Sequence, residues 1–291
     1  MSLSHWDAAV IGIKTLVYAA TLGAAGAVFF LGYNGRLIAN AQRLAIRRLA
    51  QGFAVLSIAA GIAQIMVTAG SMSGAAAGMW DGSLIHMVLQ AGPGRSAAIR
   101  AAGLVLAAVG LLPQRPAWWA LLGAAAAATS FAWTGHAHSL TPDAIPILLL
   151  GVHLLGVAFW LGALAPLEIV ARGHDPAGLA AAAARFSAAA TVVVAGLMAA
   201  AATLLGLLLG SFADFGGSAY GRWFVLKLVF VAGLLGVAAF NKWRLTPRLR
   251  AGDRAAVRGL RASLRLEMLL GILILAVTAT VTTTAGPPVL D

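Results

Sequence analysis

Six histidines and no cysteine define the chemistry open to this chain of 291 residues. Without thiols there is no disulfide, no thiolate metal site and no cysteine nucleophile, so a metal must be held by histidine, methionine, carboxylate or backbone groups. His136 and His138 stand in Trp133-Thr-Gly-His-Ala-His138, His153 lies inside a long apolar run, and His86 is followed by Met87. His5 precedes the first apolar run, and Met72 and Met79 fall in the stretch before His86. Imidazole binds copper, zinc, nickel and iron, and thioethers favour Cu(I). On a helix, His136 and His138 would diverge by about 200°; in an extended segment their rings would point the same way. Pro142 lies just beyond them, where a helix can end. The pattern fits a metal site at the mouth of a bundle, formed by His136 and His138 with His86, His5, Met79 and Met87, and a deeper ligand at His153. The same residues have plainer uses. His5 and His86 can cap helices, and His153 can bond a neighbouring helix from a face shared with Gly156 and Trp160. Met66 and Met198 suit core filling.

The elements that must carry these residues follow from composition. Hydrophobic residues make up 61% of the chain and charged residues 10%, against roughly 25% charged in ordinary soluble domains, and mean hydropathy is +0.91. This excludes a soluble enzyme, a disordered regulator and a disulfide scaffold. Crossing a bilayer takes about 20 apolar residues, and eight runs qualify: about 8–33, 46–71, 96–112, 117–136, 145–169, 186–211, 221–241 and 266–284. The runs are continuous rather than alternating, which argues against a β-barrel. The expected fold is all-α, a polytopic membrane helical bundle of eight transmembrane helices forming a single integral membrane domain over residues 1–291. Alanine and glycine along the runs serve close helix packing, although Gly206–Gly210 is a weak signal among 34 glycines.

The net charge of +11 would suggest nucleic acid in a soluble chain; here its placement gives orientation. Arg36, Arg43, Arg47, Arg48, Arg115, Arg172, Arg185 and the eight basic residues from Lys242 to Arg265 all fall on one side if the chain crosses eight times. The positive-inside rule puts that side in the cytoplasm and both termini outside. Arg95, Arg100 and Arg222 are then expected near the outer membrane edge, and five of the six histidines fall outside or in the outer half, with only His174 cytoplasmic. The N-terminus lacks the basic start of a cleavable signal. Within the connection 73–95, Met79–Gln90 is expected to form a short helix on the membrane. Lys14 and Lys227, two turns from outer ends, are expected to snorkel. Glu267, close in sequence to Arg265, is expected to pair with a basic loop residue. Trp118, Trp119 and Asn241-Lys-Trp-Arg244 suit interfacial anchors. No Walker motif, His-Glu-x-x-His or Gly-x-Ser-x-Gly is present, so a non-enzymatic role is expected, with any transport passive, gradient-coupled or driven by a partner.

Several motifs resemble the CopD family of copper resistance and copper uptake proteins. These are His153-Leu-Leu-Gly-Val-Ala-Phe-Trp-Leu-Gly-Ala-Leu-Ala-Pro-Leu167, Thr134-Gly-His-Ala137, Tyr220-Gly-Arg-Trp-Phe-Val-Leu-Lys227 with Phe240-Asn-Lys-Trp-Arg-Leu-Thr-Pro247, and Ser263-Leu-Arg-Leu-Glu267. The resemblance implies an eight-helix protein of the cell inner membrane that moves periplasmic copper inward, beside a separate CopC-type copper carrier. By position it carries over His136 and His153 alone; His138, His86, His5 and the methionines rest on their own chemistry. Two other readings stay open at this point. One is a b-type haem cytochrome with His136 and His153 as axial ligands, and the other an outer-facing copper-binding protein without transport.

Overall fold

A computed structural model describes residues 4–133, 144–173, 175–208 and 219–284. Every regular element among them is helical. Helix α1 (His5–Asn34) starts on a reciprocal cap in which the Ser4 hydroxyl accepts from the Asp7 amide at 3.1 Å and the Asp7 carboxylate accepts from the Ser4 amide at 3.0 Å. A 3₁₀ turn (Gly35–Leu37) leads to α2 (Asn40–Ser73), which stops at Gly74, whose φ of +70° is left-handed. A second 3₁₀ turn (Ala76–Trp80) precedes α3 (Gly82–Gln90), where the Asp81 carboxylate accepts from the Ser83 and Leu84 amides. These amides and the Ser83 hydroxyl hold that carboxyl below the usual carboxylate range. The short helix expected over 79–90 is thus present, preceded by its own turn.

The remaining helices are α4 (Gly92–Gly110), α5 (Ala117–Thr129, continued by the 3₁₀ turn Ser130–Trp133), α6 (Ala144–Leu161), α7 (Leu164–Ala171) and α8 (Pro176–Leu208). After them come α9 (Ala219–Phe240), a π-helical turn (Asn241–Leu245), α10 (Thr246–Arg250) and α11 (Arg254–Thr284). Among the described residues, six stretches are long and apolar enough to cross a membrane: His5–Leu37, Asn40–Ser73, Ile147–Ala171, Pro176–Thr203, Tyr220–Arg250 and Arg254–Thr284. The other two expected spans fall on α4 and α5, which are weaker for separate reasons. Helix α4 carries Arg95 and Arg100 in its first half, and α5 has only 13 residues plus four in its 3₁₀ turn before the described residues end.

One expected span is broken. Pro166 has no amide hydrogen, and its ring would meet the carbonyl four residues back, at Gly162; the helix ends at Leu161 and restarts at Leu164. The break lies against α1, the most enclosed spanning helix. Just over half (56%) of its apolar window is buried, compared with 6% for the window around α9. A Cβ on Gly26 would collide with the Ala158 carbonyl and the Gly162 backbone. Helices α4 and α5 meet in the same way, antiparallel. A Cβ on Gly103 would lie 2.7 Å from the Ala127 nitrogen and the Gly123 oxygen, and one on Gly110 would strike Ala120. Small residues that let backbones touch are what hold helices together in lipid.

Gly26→Ala is expected to lower the unfolding temperature in detergent, because the obstructing atoms are backbone and cannot rotate away; overpacking costs about 1–3 kcal/mol even among side chains. Gly52→Ala, where nothing lies within 4 Å of an added Cβ, is expected to leave the temperature unchanged or raise it. Equal effects at the two sites would contradict the close contact.

Candidate functional site

The helices place the candidate ligands at three levels. At the level of the α1 start, the His5 ring lies 5.6 Å from that of Trp6, and the Met79 and Trp6 side chains both cover Gly70 of α2. His5 and Met79 are therefore brought to one corner of the bundle. His86 and Met87 are exposed on α3 nearby in the chain, where His86 Nε2 bonds the Gln90 amide nitrogen at 2.8 Å. His136 and His138 lie outside the described residues, as does His174. Among the described residues, no group of three or more histidines and carboxylates is assembled to hold a metal ion.

His153 is set deeper, about 14 Å along α6 from Ala144 at 1.5 Å per residue. Its Nδ1 is buried and makes no hydrogen bond among the described residues. The Leu197 carbonyl of α8 and the Lys227 ammonium of α9 are its polar neighbours. Lys227 thus faces the bundle beside an imidazole rather than reaching for a surface. Lys14, also expected to snorkel, is instead tied across to α11, donating to the Thr282 carbonyl and to the Thr282 and Thr283 hydroxyls at 3.0–3.2 Å.

At the opposite end the expected ion pair is corrected. Among the described residues Glu267 pairs with no basic residue; its carboxylate accepts from the Asn241 amide. Residues 265 and 267 are two apart on one helix and point about 200° away from each other. Arg265, with Arg261 one turn earlier, turns instead to Glu168 of α7, at 3.1 Å and 3.6 Å, and Arg172 completes the cluster. Glu168 is 3% exposed while its partners are 35–61% exposed. Nothing in the sequence around Glu168 marks it beyond Arg172 four residues on, since its other partners come from nearly a hundred residues away.

Asn241 reaches Glu267 because α9 passes into the π-helical turn. Pro247 has no amide to offer the Trp243 carbonyl, and the Thr246 amide and hydroxyl both turn to the Asn241 carbonyl. Asn241 and Glu267 line a cavity of about 340 Å³ between α6, α8, α9 and α11, with Trp160, Phe186, Thr191 and Thr246 among its walls. Glu267 is 3% exposed. At its rim, Lys242 donates to the Thr191 hydroxyl at 2.8 Å. Below, Asp253 accepts from Arg248 at 2.7–2.9 Å and from the Ala255 amide, and Arg248 foremost holds its carboxyl below the usual range. The bundle thus has one end rich in paired guanidinium groups, an apolar middle containing His153, and another end with His5, His86 and their methionines.

A family model described as Copper resistance protein D matches residues 180–281, and one described as Copper resistance protein D-like, N-terminal domain, matches residues 4–141. Residues 142–179, which carry His153 and Glu168, fall between the two matches. No curated protein and no solved structure matches the chain.

Glu168→Gln removes the one carboxylate shared by three arginines and is expected to cost roughly 1–3 kcal/mol of stability, limited because those arginines reach solvent. Thermal unfolding of the purified variant checks this; a variant as stable as the wild type would show the cluster to be ornamental.

Proposed function

From the premise that this multi-pass membrane protein belongs to the CopD family of copper resistance proteins, we propose that it is a copper transporter rather than an enzyme, and that copper is its cargo. It crosses the inner membrane eight times, α4 and α5 supplying the third and fourth crossings, with both termini and the His5 corner on the periplasmic side. Copper is received from the periplasm, brought by a separate CopC-type carrier, at His136 and His138 with His86, His5, Met79 and Met87. It then passes to His153 within the bundle. The observation that carries this reading is the buried, unpartnered Nδ1 of His153. Buried polar atoms in a bundle are ordinarily satisfied, and ionisable side chains inside a membrane mark substrate pathways.

The donor set fits the cargo. Imidazole binds copper and the softer thioether favours Cu(I), so a set of histidine and methionine can hold the ion without thiolate. Several weak sites in series suit conduction, since an ion must leave each one. Towards the cytoplasm, the cavity at Glu267 and Asn241 supplies oxygen donors beyond His153. The basic side of the protein is cytoplasmic, so an incoming cation meets imidazole and thioether first and reaches the guanidinium groups only where Glu168 already neutralises part of their charge.

Copper accumulation in intact cells tests the pathway. His153→Ala is expected to bring accumulation close to that of cells lacking the protein, and His136→Ala with His138→Ala to reduce it. Unchanged accumulation in His153→Ala would remove that residue from the path, and a Soret band lost in His153→Ala would replace copper by haem. Orientation has its own test, because the chain is free of cysteine. Ala77→Cys is expected to react with a membrane-impermeant thiol reagent in intact cells, and Ala251→Cys only after permeabilisation; the reverse pattern would invert the topology.

A further inference from the structure

Arg100 lies where the outer membrane edge was expected, yet it is 5% exposed. It sits about 12 Å along α4 from Gly92 at 1.5 Å per residue, and faces Gly61, near the middle of the membrane-spanning α2. A Cβ on Gly61 would lie 3.5 Å from its Nη2. One weak hydrogen bond runs from Nη1 to the Ser96 hydroxyl at 3.5 Å, and the guanidinium stands 5.0 Å from the centre of the Phe131 ring. Among the described residues, Tyr18 is its titratable neighbour.

No carboxylate among the described residues neutralises it. Asp7 and Asp81 are occupied as helix caps, Asp175 by the Gly178 amide, Glu168 by three arginines, Asp253 by Arg248 and Glu267 by Asn241. A buried lysine or carboxyl can shed its charge by exchanging a proton; a guanidinium cannot. A permanent charge held in an apolar bundle without a counter-ion is strongly disfavoured, and contact with one aromatic face offsets only part of that.

Arg100 and Gly61, which its Nη2 faces, line a cavity of about 200 Å³ whose other walls include Ile58, Ile62, Ile65 and Leu89. Among the described residues that line it, the one hydroxyl, that of Ser57, is bonded to Thr21 at 2.7 Å. Ile62 and Leu89 are 58% and 46% exposed, so the cavity reaches the outer surface of the bundle between α2 and α3. Its volume equals that of several water molecules at about 30 Å³ each, enough for a tetrahedral oxyanion. We infer that this cavity is an anion site in which a phosphate group neutralises Arg100, the phosphate belonging either to the headgroup of an acidic lipid or to free inorganic phosphate.

Unfolding of the purified full-length protein in neutral detergent, measured with phosphatidylglycerol, with phosphatidylcholine as the uncharged control and with sodium phosphate at constant ionic strength, tests the site. At a hundredfold excess over Kd, the matching anion is expected to raise the wild-type unfolding temperature by roughly 5 °C, while phosphatidylcholine does not. Arg100→Gln is expected to lose that rise. Gly61→Leu, which keeps the charge and fills the space beside it, is expected to lose it as well. A rise with phosphatidylglycerol alone assigns the site to lipid, and a rise with inorganic phosphate assigns it to the free ion. No rise with either anion, or an equal rise in wild type and Arg100→Gln, overturns the proposal. Should Arg100→Gln fail to fold, an undiminished rise in Gly61→Leu overturns it equally. Copper uptake plays no part in these readouts.

Discussion

Lipid offers helices no hydrophobic reason to associate, so a bundle in a membrane depends on how closely backbones can approach. In this protein that approach is closest where Gly26 of α1 meets the Gly162 break between α6 and α7. Helix α1 occupies the middle of the bundle, packed against α2, α5, α6 and α11, and its buried face is made largely of alanine, glycine and valine. The Thr21 hydroxyl adds a buried hydrogen bond to Ser57 of α2. Because α1 is tied so tightly to the break, α6 and α7 diverge from a fixed point. Helix α6 carries His153 towards α8 and α9, while α7 carries Glu168 towards the start of α11.

Charge placement follows from that divergence. Glu168, delivered to the foot of α11, accepts the arginines that the sequence places on one α11 face, Arg261 and Arg265. With those arginines engaged, Glu267 on another face of α11 is left to Asn241 and to the cavity they share. One carboxylate therefore closes an interface and the other opens onto a space. The two roles are set by helical angle and by which partner the chain brings near.

Most of this architecture is legible in the sequence, because long apolar runs bounded by arginine are strong signals. Six of the eight expected runs are helices fit to span a membrane, and the short helix between α2 and α4 is where it was expected. The errors have definable causes. Glu267 was expected to pair with a basic loop residue, but the π-helical turn brings the Asn241 amide to it instead, while the nearby arginines of α11 turn to Glu168. Arg100, expected near the membrane edge from a run starting at 96, is buried in the bundle; α4 begins at Gly92, about one turn earlier, which sets the guanidinium about two turns from the helix start. The break at Gly162 was encoded by Pro166, but its meaning depends on Gly26, more than a hundred residues earlier. At the candidate site, the sequence identifies the imidazoles and thioethers by type. The structure unites His5 with Met79 at one corner and leaves the His153 Nδ1 unpartnered, two facts that no local spacing contains.

The π-helical turn at Asn241–Leu245 accommodates one residue more than the equivalent stretch of α-helix. In genetic language it is an insertion that the fold has kept. Because the wider turn absorbs that residue, the helix beyond it keeps its bearing, whereas adding or removing one residue in the regular helix before it would carry everything beyond round by about 100°. Leu245 and Leu249, now 3% and 5% exposed, would swing out of the core, and Asn241 would lose its line to Glu267. The Asn241 end of α9 is therefore intolerant of changes in length even where it would accept changes in residue type, and the spare residue fixes the register between the two helices that enclose the cavity.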